Sequence, residues 1–149
     1  MIVTRRERES RGDDRFLGKG AGMAATEHRL RVLIVDDSVD VAEVLAATVE
    51  LLGHETHYVH DAGAALQAAP NFLPHLAFLD LSLPGMSGHQ LGRRLRELPG
   101  LQGIILIALS GSGSDEDRRS SREAGFHEHL VKPTSLDVLE EVLSRFAVQ

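Results

Sequence analysis

Strand-like runs alternate with segments of helical spacing five times between Arg31 and Phe146, and this alternation limits the fold more than any other feature. The runs are Val32–Val35, His54–His60, Leu76–Asp80, Ile104–Leu109 and His129–Val131. Strand–helix repeats predict an α/β domain with a parallel sheet, helices on both faces and right-handed crossovers. The third run, Leu76-Ala77-Phe78-Leu79, is wholly apolar. It stops on Asp80 before a turn carrying Pro84, Gly85 and Gly88. It suits a strand buried on both faces, although periodicity alone leaves a buried helical segment open.

The helical segments carry their own punctuation. Ser38 or Asp37 caps the first, whose apolar positions are Val41, Val44, Leu45, Thr48, Val49 and Leu52, with Gly53 as its stop. Asp61 opens an Ala-rich helix, Ala62 to Ala69, closed by Pro70. A third follows Gly88, with Leu91, Leu95 and Leu98 on one face and Arg93, Arg94 and Arg96 largely outside, and ends at Pro99-Gly100. Asp115 to Ala124 is polar throughout and closed by Gly125. Ser135 or Thr134 caps the last helix, built on Leu136, Leu139, Val142, Leu143 and Phe146. Residues 1–28 mix Arg, Glu, Asp and Gly without periodicity, which predicts a disordered tail ahead of a domain spanning 29–149. Met23 is a candidate natural start.

Composition narrows the function. There are no cysteines, so disulfides, thiol chemistry and cysteine-bound metals are excluded, and a cytoplasmic location is expected. No apolar run approaches the length that spans a bilayer, and no membrane partner is expected. The net charge is −6, and residues 31–149 alone carry −8, a poor match for direct nucleic-acid binding.

In a parallel sheet the carboxyl ends of all strands share one edge, where ligands bind. Here the ends are Asp36-Asp37, Asp80, Ser110 and Lys132. Each alone reads equally well as a cap or turn residue. Four of five strands ending in reactive polar groups is hard to explain by capping. Three converging carboxylates repel one another beyond what one Lys neutralises, and an oxygen-only donor set calls for Mg²⁺, or Mn²⁺ in its place. A carboxylate beside such an ion, an ammonium and a hydroxyl is equipped to accept a phosphoryl group as an acyl phosphate.

The segments VLIVDDS, LDLSLPGMSG, IALSG and LVKP, in this order and spacing, resemble the receiver domain of two-component response regulators, over about Arg31 to Phe146. The resemblance implies a flavodoxin-like (βα)5 fold with strand order 2-1-3-4-5. It implies that Asp80 is the phosphoacceptor, served by a sensor histidine kinase or a histidine phosphotransfer protein. Asp36, Asp37, Asp80 and the backbone carbonyl of Ser82 would hold Mg²⁺. Ser110 would be the switch hydroxyl, Lys132 would pair with a phosphoryl oxygen, and the bond before Pro133 would be cis. Phosphorylation would alter binding to a downstream protein that the sequence does not name, with no output domain in this chain and no enzymatic turnover. A phosphatase with an aspartyl-phosphate intermediate is disfavoured because Ser82 stands where such enzymes carry a second acid.

One position departs from the family. Tyr or Phe is common three residues before the Lys, and here it is His129, read either as a titratable switch residue or as a surface histidine. His54, His57 and His60 are set aside as metal ligands, since strand alternation throws His57 to the opposite face. The Gly111–Ser114 run lacks a phosphate-loop pattern and reads as a loop that moves with Ser110.

Overall fold

The β-branched and apolar runs pair with one another because each is too short to bury itself any other way. The structure, a computed structural model, describes residues 29–147. Its strands are β1 (Arg31–Val35), β2 (Glu55–Val59), β3 (Leu76–Asp80), β4 (Ile105–Ser110) and β5 (Glu128–Val131). They form one parallel sheet in the order β2-β1-β3-β4-β5. The helices are α1 (Val39–Leu51), α2 (Ala62–Phe72), α3 (Gly88–Arg96), α4 (Asp115–Glu123) and α5 (Leu136–Ala147). This is the flavodoxin-like doubly wound arrangement. The tail expected at 1–28, with Met23, lies outside the described residues.

Alternate residues of each strand feed opposite layers. Val32, Ile34, Phe78, Ile107 and Leu109 pack against Ala42, Leu45, Ala46 and Val49 of α1 and Leu139, Val142 and Leu143 of α5. Leu33, Val35, Ala77, Leu79, Leu106 and Ala108 pack against Ala65 and Ala69 of α2 and Leu91 and Leu95 of α3. Every residue of β3 is buried, as expected of the central strand of a two-sided parallel sheet.

Three local expectations are corrected. On α1, Val41 and Val44 are exposed, and Ala42, Leu45, Ala46 and Val49 form the core stripe. Both stripes have helical spacing, but the one bearing alanines lets the helix approach the sheet more closely. Helix α2 does not stop at Pro70 but continues through it to Phe72, ending where Leu73 adopts a left-handed conformation with φ 49°. Arg96 is not simply solvated, since its Nη2 donates to the Ile104 carbonyl at 3.2 Å. The open caps resolve to Ser38 for α1 and Ser135 for α5, each hydroxyl accepting a first-turn amide.

Candidate functional site

Register brings the strand ends level. Val35 lies opposite Leu79, Asp80 opposite Leu109, and Ser110 opposite Val131. The Lys132 amide donates to the Ser110 carbonyl at 2.8 Å, which carries β5 one residue further along the same edge. Asp36, Asp80 and Lys132 therefore meet although they come from three strands.

The side chains close the site. Asp36 and Asp80 are buried, Asp37 is exposed, and one carboxylate oxygen from each lies within 4.8 Å of the others. Among the described residues this is the one such cluster of three potential ligands. Lys132 Nζ is 2.9 Å from Asp36 Oδ2 and 3.3 Å from Asp80 Oδ2. Burial opposes the lysine's charge, but hydrogen bonding and attraction from Asp36, then from Asp80, prevail and hold its pKa above the ordinary value. The other oxygens are held locally. Asp36 Oδ1 accepts from the Ser38 amide and Asp80 Oδ1 from the Ser82 amide, both at 2.9 Å. These Asx turns fix the carboxylates as the chain leaves the sheet. The Lys132–Pro133 bond is cis.

The donor set fits a small divalent cation. Oxygens around Mg²⁺ sit at about 2.0–2.1 Å, so ligands on one ion lie about 3–4 Å apart, within reach of this cluster after small adjustments. Three carboxylates and one ammonium leave an uncompensated charge of two, which such an ion would cancel.

Ser110 ends β4 half-buried, its Oγ accepting from the Ser112 amide at 3.1 Å. His129 is 5% exposed, which excludes the surface reading. Its Nδ1 is 2.8 Å from Ser121 Oγ and its Nε2 2.8 Å from the Ser112 carbonyl oxygen. Ser121 and His89 join this network, and no sequence pattern announced them because the contacts link four separate elements. His60 donates from Nδ1 to the Asp36 carbonyl at 3.1 Å, a role its strand position did not suggest. His54, His57 and His60 form no metal cluster with one another.

The family model for the response regulator receiver domain matches residues 32–144. The chain belongs to the response regulator receiver family. A gliding motility regulatory protein of Myxococcus xanthus is 33% identical over 132 residues, 88% of this chain but 17% of the relative. The phosphate regulon transcriptional regulatory protein PhoB of Pseudomonas aeruginosa is 32% identical over 104 residues, 70% of this chain and 45% of the relative. The chain thus spans less than half of either protein. Among solved structures, a putative response regulator from Chloroflexus aurantiacus is 28% identical with a TM-score of 0.74, covering 80% of this chain and 98% of the other. The receiver domain of a signal transduction histidine kinase from Syntrophus aciditrophicus is 30% identical with a TM-score of 0.70, covering 79% and 89%. Receiver domains are signalling modules of two-component systems, and no helix among the described residues of this receiver is long and apolar enough to cross a membrane.

Proposed function

We propose that this receiver accepts a phosphoryl group on Asp80, with Mg²⁺ as the required ion, from a sensor histidine kinase or a histidine phosphotransfer protein in the cytoplasm, and so alters binding to a downstream protein. The observation that carries the reading is the meeting of Asp36, Asp37 and Asp80 with the Lys132 ammonium at one edge. A carboxylate oxygen of Asp80 attacks phosphorus, the bond from phosphorus to the donor's imidazole nitrogen breaks, and that nitrogen keeps the electron pair. Asp36, Asp37, Asp80 and the Ser82 carbonyl would hold the ion, which supplies charge neutralisation for the phosphoryl oxygens. Lys132, 3.3 Å from Asp80, is within reach of a phosphoryl oxygen carried there, and its raised pKa keeps it cationic. The Ser110 hydroxyl, at the end of the neighbouring strand, is the switch donor. An apolar groove formed by Val41, Val44 and Thr48 with Pro133 and Thr134 opens beside Lys132.

Incubation with a small acyl-phosphate donor and Mg²⁺ should label the wild type on Asp80, while Asp80→Asn and EDTA-treated protein stay unlabelled. Equal labelling of Asp80→Asn would overturn the assignment.

A further inference from the structure

Helix α4 has no ordinary means of attachment. Asp115–Glu123 contains no apolar side chain, and its one buried residue is Ser121. A helix without an apolar face lacks the usual drive to dock. Its fastening is polar. Ser121 Oγ lies 2.8 Å from His129 Nδ1 and 3.1 Å from His89 Nε2, and His129 Nε2 lies 2.8 Å from the Ser112 carbonyl oxygen. Arg118 adds two bonds, donating from Nη1 to the His129 carbonyl and from Nε to the Gly113 carbonyl.

With neutral imidazoles the protons have one arrangement. The Ser112 carbonyl can only accept, so His129 Nε2 carries hydrogen and Nδ1 is bare. Ser121 donates its hydroxyl hydrogen to Nδ1, and His89 donates from Nε2 to the Ser121 oxygen. The chain runs from α3 through α4 and β5 to the loop after β4. Ser112 is its far joint, because the same residue gives its amide to Ser110 Oγ.

We propose that His89, Ser121 and His129 form a proton-sensitive clasp that fastens α4 and the Gly111–Ser114 loop in the resting protein and resists the movement of Ser110. The coupling to Ser110 rests on the proposed phosphorylation of Asp80; the fastening of α4 does not. His129 is thus a positioning residue, acting on the site through Ser112. With a proton on His129 Nδ1 that nitrogen becomes a donor, so Ser121 Oγ accepts from both imidazoles and its own hydrogen loses its acceptor. A further proton on His89 sets two cations on either side of the hydroxyl. The titratable and charged groups around the clasp are Arg93 on α3, Asp117, Arg118 and Arg122 on α4, His127 just before β5 and Glu128 on it, and Glu141 and Arg145 on α5. Burial, then Arg93 and His129, hold His89 below the ordinary histidine range, with Asp117 opposing. Loosening therefore belongs to the acidic side of neutrality.

Amide hydrogen exchange on the full chain, expressed as protection factors at about pH 7.5 and about pH 5.5, tests the clasp. In the wild type, α4 protection should fall at the lower pH more steeply than α1 protection, which follows the stability of the whole domain. Ser121→Ala should lower α4 protection about fivefold to tenfold at the higher pH and leave α4 with only the pH dependence that α1 shows. Unchanged α4 protection in Ser121→Ala, or a wild type whose α4 and α1 fall alike, would overturn the clasp. With acyl phosphate and Mg²⁺, Ser121→Ala and His129→Phe should label several-fold faster than the wild type, and equal rates would overturn the coupling to Ser110. A wild type that takes no label would sink the reading of Asp80, while the exchange measurement would still decide the clasp.

Discussion

A missing Cβ sets the geometry beneath the phosphoacceptor candidate. Gly88 begins α3 directly against the end of β3, and a Cβ there would lie 2.5 Å from the Asp80 carbonyl oxygen and 2.9 Å from Leu81 Cα. Both neighbours are backbone, so neither can rotate away, and α3 or the end of β3 must shift. Gly88→Ala should therefore cost about 2 kcal/mol of stability, within the usual range for overpacking, and slow labelling of Asp80 by displacing its main chain. Urea denaturation and acyl-phosphate labelling measure the two effects, and a midpoint equal to wild type would show that α3 yields freely. At this scale the sequence was informative for Asp36, Asp37, Asp80, Ser110 and Lys132, because position at a strand's carboxyl end fixes where a residue lies once the sheet is parallel. It was uninformative for His89, Ser112 and Ser121, whose meeting depends on how three elements pack around β5. The burial of His129 follows from the same packing.

Helices show where pattern and packing part company. Pro70 reads as a stop because it offers no amide and crowds the preceding turn, yet α2 extends two residues past it. The extension is held at its end by the Leu73 amide, which donates to the Ala69 carbonyl at 2.8 Å, with Leu73 left-handed at the cap. Tertiary packing of Ala62, Ala65 and Ala69 on the sheet overrides the local preference. Pro70 itself is exposed and contributes nothing to the core. Pro70→Ala supplies the amide that the Leu66 carbonyl lacks and removes a helix-interior proline worth about 3 kcal/mol, offset by about 0.4–1 kcal/mol through a freer unfolded chain. The expected result is a gain of about 2 kcal/mol. Thermal or urea unfolding checks it, and a loss of stability would show that the ring packs against something essential. Helix α1 makes the complementary point. Two apolar stripes share its surface, and hydrophobic spacing alone cannot say which one the sheet takes.

Across the whole molecule, histidines tie the sheet to its loops. His54 Nδ1 accepts the Leu30 amide at 3.0 Å, His75 Nδ1 the Arg31 amide at 2.9 Å, and His127 Nδ1 the Leu106 amide at 3.2 Å. Each bond needs an unprotonated nitrogen, so each is lost if that nitrogen takes a proton. Burial, then Arg96, holds His127 below the ordinary histidine value of about 6.5, against a hydrogen bond with the Leu106 backbone and the pull of Glu128, and burial, then Arg93, lowers His89. For both, the unfolded chain binds more protons than the folded one between the depressed folded pKa and the unfolded value. Stability therefore rises with pH through that window and is fully present above about pH 6.5. Asp117 is depressed as well, chiefly by hydrogen bonds from Ser112 and Ser114, but a carboxylate loses its contribution only at much lower pH. Lys132 titrates far above the window. In buffers free of divalent cations, the unfolding temperature should therefore fall between about pH 7.5 and about pH 5.5. His127→Asn keeps an acceptor near the position of Nδ1 but cannot be protonated, so its decline over the same interval should be shallower. A wild-type midpoint independent of pH, or a slope unaltered in His127→Asn, would show that these imidazoles do not govern the acid side of stability.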